Sequence, residues 1–139
     1  MYQSESQIRI HYALTDKMGV VYHGHYAQFY EIGRTDAIRK LGMSYKDIEA
    51  TGVIMPVVEL NCRFFQPAKY DDLITVVTTL KELPTGHKIV FHGEIKNEKG
   101  ELLSSASITM YFMHAHDMSK SKMPELLYNI LEPYYRLIP

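Results

Sequence analysis

TDKMGVVYHGHYAQFYEIGR, residues 15–34, carries both the start of an apolar stripe and a dense group of reactive side chains. Tyr22, Tyr26, Phe29, Tyr30, Gly33, Ala37 and Leu41 recur at spacings of three and four, and Gln28, Glu31, Thr35 and Arg39 take the opposite side. This pattern predicts an amphipathic helix with one broad buried face. Gly42 stands where a helix stop is expected. A shorter helix over residues 44–51 follows, with Ser44 as N-cap and Asp47 in its first turn.

On either side of this helix the period is two. Residues 7–14 (QIRIHYAL) alternate and predict a first strand. From residue 53, Ile54, Val58, Leu60, Cys62 and Phe64 share one face against Glu59, Asn61 and Arg63, until Pro67 ends the run. A β-branched strand over 72–83, a turn at Pro84-Thr85-Gly86, a strand over 87–97 and a hairpin turn at residues 97–100 come next. A last strand carries Ala106, Ile108 and Met110 on one face, and Pro124 suits the first position of a closing helix. Hairpins imply an antiparallel sheet. The expectation is an α+β layer fold: one long helix packed on an antiparallel sheet of about five strands. Val53, Met55, Val57, Phe65, Tyr111 and Met113 are expected on the sheet's other face, which then calls for a second subunit.

Composition narrows the function classes. The 139 residues are read as a single domain, 1–139, with 46% hydrophobic and 22% charged residues. Fifteen Lys plus Arg balance 16 Asp plus Glu, so no nucleic-acid or anionic-membrane partner is expected. Cys62 is the only cysteine, which suits a reducing compartment. With no signal-peptide pattern and no apolar run long enough for a membrane span, the reading is cytoplasmic.

The candidate chemistry gathers around Asp16, in the turn leading to the helix, and His23, seven residues later. Gly19 and Gly24 would let backbone approach a ligand. A helix start offers unpaired N–H donors that suit a developing oxyanion. A carboxylate beside it can activate water or attack an acyl carbon. By spacing alone, Asp16 is more often a turn or capping residue, and Glu31 more often half of a helix-surface pair.

The run Thr15-Asp16-x-x-Gly19-Val20-Val21-Tyr22-His23-x-x-Tyr26, continued by Phe29-Tyr30-Glu31-x-x-Arg34, resembles the signature of the hotdog-fold 4-hydroxybenzoyl-CoA thioesterase family. Cys62-Arg63-Phe64-Phe65-x-Pro67-Ala68-x-Tyr70-Asp71-Asp72 is similar to the branch associated with the Tol-Pal gene cluster. The resemblance implies an acyl-CoA thioesterase that needs no cofactor. Asp16 is implied as nucleophile or general base, and His23 as a catalytic histidine whose backbone N–H takes the oxyanion position. Tyr22 and Gly24 would shape the turn, and Glu31 would support the reaction or join it. The resemblance also implies homo-oligomers, dimers or homotetramers, with the CoA arm between subunits.

His25 stands where relatives often carry Asn or Ser, and is expected to cap the helix rather than touch substrate. Arg63, Lys69, Lys81 and Lys88 are candidate partners for the CoA phosphates. His114, His116 and Asp117 have a spacing compatible with a metal but lack an evident third ligand, so no metal is expected. Two readings compete with CoA-thioester hydrolysis: hydrolysis of an acyl carrier protein thioester at the same site, and non-catalytic binding of an acyl thioester.

Overall fold

The computed structural model describes residues 1–136. Strands β1 (Tyr2–Arg9), β3 (Val57–Phe64), β4 (Leu73–Leu80), β5 (Lys88–Lys96) and β6 (Leu102–Tyr111) form one antiparallel sheet in the order β1-β4-β5-β6-β3. Two short strands, β2 (Val53–Ile54) and β7 (Met113–His114), pair separately. Helix α1 (Tyr26–Lys40) lies on the sheet, α2 (Tyr45–Glu49) follows it, and α3 (Glu125–Leu131) comes after Pro124 as expected. This is the hotdog arrangement of a long helix on a five-stranded antiparallel sheet.

α1 buries Tyr26, Phe29, Tyr30, Gly33, Arg34, Ala37 and Ile38, close to the expected stripe. Four residues depart from it: Ile38 joins the buried face, Leu41 beyond the helix end is only half-buried, and Tyr22 and Arg34 differ as follows. Tyr22 precedes the helix and is 51% exposed, because a 3-10 turn over His23–His25 comes first. Arg34, a charged residue, is buried. Helix and sheet approach closely at two glycines. A Cβ on Gly33 would fall 2.6 Å from Thr78 Oγ1, and one on Gly93 would fall 2.5 Å from the Tyr30 ring. With the Tyr30 ring seated on Gly93, its hydroxyl donates to Ser104 Oγ at 2.7 Å. Gly42, at φ +94°, ends α1, and Ser44 with Asp47 forms the capping box of α2, as the sequence predicts.

The first strand lies earlier than its expected 7–14 span, and residues 12–14 form a 3-10 turn. Its buried face runs through Tyr2, Ser4 and Ser6, so two small polar residues hide the alternation. The Tyr2 hydroxyl donates to Ala37 O at 2.6 Å and ties the strand to α1.

The expected apolar back face is absent. A bulge between Val57 and Glu59 turns Val57 to the helix side, where it pairs with buried Met110. The back of the sheet instead presents Glu59, Asn61 and Arg63 beside Thr109, Ser107 and Ser105. Val53 is buried within the small β2–β7 pair. The uncovered apolar surface lies on and around β3, an edge strand, where Val57, Val58, Leu60, Phe64 and Phe65 are 42–51% exposed.

Candidate active site

The segment before α1 folds back on itself. Thr15 and Val21 pair in a short antiparallel bridge, and Tyr22 N donates to Leu14 O at 3.2 Å. Within this loop Asp16 N donates to Val20 O at 2.9 Å and Gly19 N to Asp16 O at 3.1 Å. Gly19 takes φ +77°, a conformation that glycine adopts without strain. Met18 N donates to Asp16 Oδ1 at 2.8 Å, which holds the exposed carboxylate in a turn at the helix entrance.

A second loop braces the first. Val21 N donates to Ala68 O at 2.8 Å, Val20 bridges Lys69, and Ala68 N donates to the Tyr26 hydroxyl at 3.2 Å. Burial raises the Tyr26 pKa, while the Ala68 N–H opposes that rise. This phenol therefore stays neutral and serves as an anchor between the helix start and the 67–70 loop.

His23, Gly24 and His25 form the 3-10 turn that leads into α1. A Cβ on Gly24 would sit 2.4 Å from Tyr22 Cε2, so glycine here lets the Tyr22 ring fold over the turn. That ring lies 4.5 Å from the His23 ring and 5.7 Å from the His25 ring. His23 also meets Phe64 edge-on at 6.2 Å, which brings the helix entrance to the exposed end of β3. His25 occupies the N-cap position but makes no side-chain capping bond, contrary to expectation. Its backbone is already helical, because the preceding 3-10 turn runs straight into α1.

Two recesses flank this turn. A shallow one of about 270 Å³ lies among His23, Tyr26, Phe64, Phe65 and Pro67. A larger cleft of about 810 Å³ starts at Gly24 and runs along α1 past Gln28, Glu31 and Arg34, facing Leu60 and Met110. Glu31 is thus beside the cleft, seven residues or about 10 Å along the helix from Gly24.

Asp16, Tyr22, His23, Gly24, His25 and Lys69 therefore gather at one end of the fold. Arg63 points to the back of the sheet, and Lys81 and Lys88 line a recess there with His87 and His92. Within the chain, none of these three cations is brought to the Asp16 loop. His114 and His116 have rings 5.7 Å apart, and no cluster of three metal-ligating side chains occurs among the described residues. Sequence reading missed Arg34 and Tyr45 as cleft residues. The available signal was a charged side chain inside the apolar stripe.

The Asp16 carboxylate is held in the loop that precedes the helix start, and the larger cleft begins at Gly24 in the turn that follows; a carboxylate that reaches a bound carbonyl can deliver water or its own oxygen to it. Comparison with known proteins shows that the chain is a thioester hydrolase. Residues 18–104 match the thioesterase superfamily. YneP of Bacillus subtilis (strain 168) is 39% identical over 107 residues, 77% of each chain. The acyl-CoA thioester hydrolase YbgC of Escherichia coli O157:H7 is 30% identical over 118 residues, 85% of this chain and 87% of YbgC. The DHNA-CoA thioesterase of Staphylococcus aureus superposes with a TM-score of 0.84 at 32% identity, covering 99% of this chain and 98% of that one. With its sheet order, helix placement and these relatives in agreement, the chain belongs to the thioesterase superfamily, as a thioester hydrolase of the hotdog fold.

Proposed function

We propose that this chain hydrolyses acyl-CoA thioesters, with water and the thioester giving a carboxylic acid and free CoA. The observation that carries the reading is the Asp16 loop, closed on itself by the Asp16–Val20 hydrogen bond and joined at its base to the residue before the helix entrance by the Tyr22–Leu14 bond. In this reading the thioester carbonyl sits over the first turn of the helix. The backbone N–H of His23 supports its oxygen as negative charge develops. Asp16 either takes a proton from the attacking water or attacks the carbonyl carbon itself, forming an anhydride that water then opens. The His23 side chain lies beside Tyr22 and Phe64, where it can orient the thioester. Glu31 borders the cleft that receives the acyl group. The two motifs around residues 15–34 and 62–72 support the Tol-Pal-associated branch.

The test is release of free thiol from a graded acyl-CoA series. Asp16→Asn should reduce turnover by at least about 10³-fold while the fold is retained. Undiminished turnover in a folded Asp16→Asn protein would remove Asp16 from the mechanism. Incubation of the enzyme in ¹⁸O-water under single-turnover conditions separates the two roles, because an anhydride route can leave label in Asp16.

The same proposal includes a homo-oligomer built through β3. Its unpaired edge and its exposed Val57, Leu60 and Phe64 favour pairing with a second copy. Leu60→Glu should shift the protein towards a monomer in light scattering. A wild type that is monomeric at micromolar concentration would rule the pairing out.

A further inference from the structure

Arg34 is the least expected residue in the core. It follows Gly33 on the buried side of α1 and is only 6% exposed, yet its Nε has no hydrogen-bond partner. Among the described residues no carboxylate forms an ion pair with it. A buried charge without a partner is costly, and proteins normally supply a counter-ion. Beside it stands Tyr45, the first residue of α2, whose hydroxyl is also buried and without a hydrogen-bond partner. The Arg34 charge opposes the effect of burial on the Tyr45 phenol, as expected for close neighbours, although the two do not form a well-aligned hydrogen bond with each other.

Both residues line the large cleft. Its walls at this end are apolar, with Ile48, Val53, Met55 and Ile108 among them. Gly24, at the catalytic end, is ten residues from Arg34, or about 15 Å along the helix. A hydrocarbon chain fits the walls, and the donors at the far end require an acceptor. A neutral hydroxyl would occupy one donor and leave the guanidinium charge uncompensated. A carboxylate accepts from several donors at once and neutralises the charge. Glu31 and Glu49 also border the cleft, but both are exposed. Glu31 also acts on the Tyr45 phenol, but from an exposed position where water screens it, whereas Arg34 Nε and the Tyr45 hydroxyl are buried and unpartnered.

We propose that Arg34 and Tyr45 form a carboxylate-recognition site that selects acyl groups ending in a carboxylate, that is, CoA monothioesters of dicarboxylic acids. This rests on the reading that the cleft receives the acyl group of a CoA thioester.

The experiment compares acyl-CoAs of matched length: adipyl with hexanoyl, suberyl with octanoyl and sebacyl with decanoyl, each with its ω-hydroxy counterpart. At the best-fitting length the wild type should favour the ω-carboxy member by about tenfold or more in kcat/KM. Arg34→Gln should cut the ratio of kcat/KM for the ω-carboxy member to that for the unsubstituted member about 10- to 100-fold. Tyr45→Phe should give a smaller loss of the same selectivity. A readout independent of turnover is the melting temperature. Free adipate or suberate should raise it in the wild type and not in Arg34→Gln. Arg34→Met, which replaces an unpaired charge with an apolar chain, should fold at least as stably as the wild type.

Equal or greater activity on the unsubstituted or hydroxy members overturns the proposal. So does an Arg34→Gln variant that slows all acyl-CoAs alike, or one that dissociates the oligomer without changing the selectivity ratio. A folded wild type that hydrolyses none of these acyl-CoAs defeats the parent reading instead, and the dicarboxylate melting shift then still decides the site.

Discussion

Gly24 and Gly93 meet nearly equal crowding and predict opposite outcomes when replaced by alanine. A Cβ at Gly93 falls 2.5 Å from Cδ1 and Cε1 of Tyr30, and one at Gly24 falls 2.4 Å from Cε2 of Tyr22. What differs is whether the neighbouring ring can move. Tyr30 is 1% exposed and its hydroxyl is bonded to Ser104, so retreat breaks a buried hydrogen bond. Tyr22 is 51% exposed and can swing into water. Overpacking costs about 1–3 kcal/mol, and a buried hydroxyl left unpaired adds roughly 1–3 kcal/mol. Gly93→Ala should therefore lose about 2–6 kcal/mol, a large share of the 5–15 kcal/mol typical of a domain. Gly24→Ala should stay within about 1 kcal/mol of wild type. It should nevertheless lose about tenfold or more in thiol release, because Tyr22 no longer packs 4.5 Å from His23 and the turn shifts. The assay is urea unfolding at fixed subunit concentration, since an oligomer's stability depends on concentration, alongside acyl-CoA turnover. If Gly93→Ala unfolds within about 1 kcal/mol of wild type, or Gly24→Ala is as unstable as Gly93→Ala, the argument from ring mobility fails.

Ser44→Ala removes the side chain that accepts from Asp47 N and should cost about 1 kcal/mol in the same unfolding assay. His92 is half-buried near Lys81, and burial first, then that cation, lowers its pKa from 6.5, with Glu82 opposing. The folded state thus favours neutral imidazole. Its contribution to stability is present above the ordinary value and is lost as pH falls through the lowered one. His92→Gln should accordingly flatten the decline in unfolding midpoint between about pH 7 and about pH 5. An identical decline in both proteins would assign the acid sensitivity to other groups.

The parts of this fold that were readable in sequence are those whose signal is local. The α1 stripe shows because tyrosine and phenylalanine at 26, 29 and 30 repeat with Ala37 at helical spacing, and the α2 cap shows because Ser44 and Asp47 are three residues apart. What stayed hidden depends on distant contacts or on backbone events. β1 buries Ser4 and Ser6 against a helix some thirty residues away, so its alternation carries almost no hydrophobic contrast. The bulge after Val57 leaves no mark on side-chain order, yet it moves Val57 to the other face and removes the expected apolar back of the sheet. The candidate site is held by Val21 and Ala68, nearly fifty residues apart. Spacing alone therefore read Asp16 as a turn residue, and the motifs around 15–34 and 62–72 carried the family resemblance without indicating that the two loops meet. Arg34 is a different kind of miss, because its signal was visible as a charge inside an apolar stripe. Folding favours sequences whose local pattern agrees with their burial, and violations concentrate where function outweighs stability. The buried guanidinium is the clearest such violation in the described chain. Two unpartnered donors in the lining of the cleft, Arg34 Nε and the Tyr45 hydroxyl, are therefore more informative about what the cleft holds than the well-packed tyrosines around them.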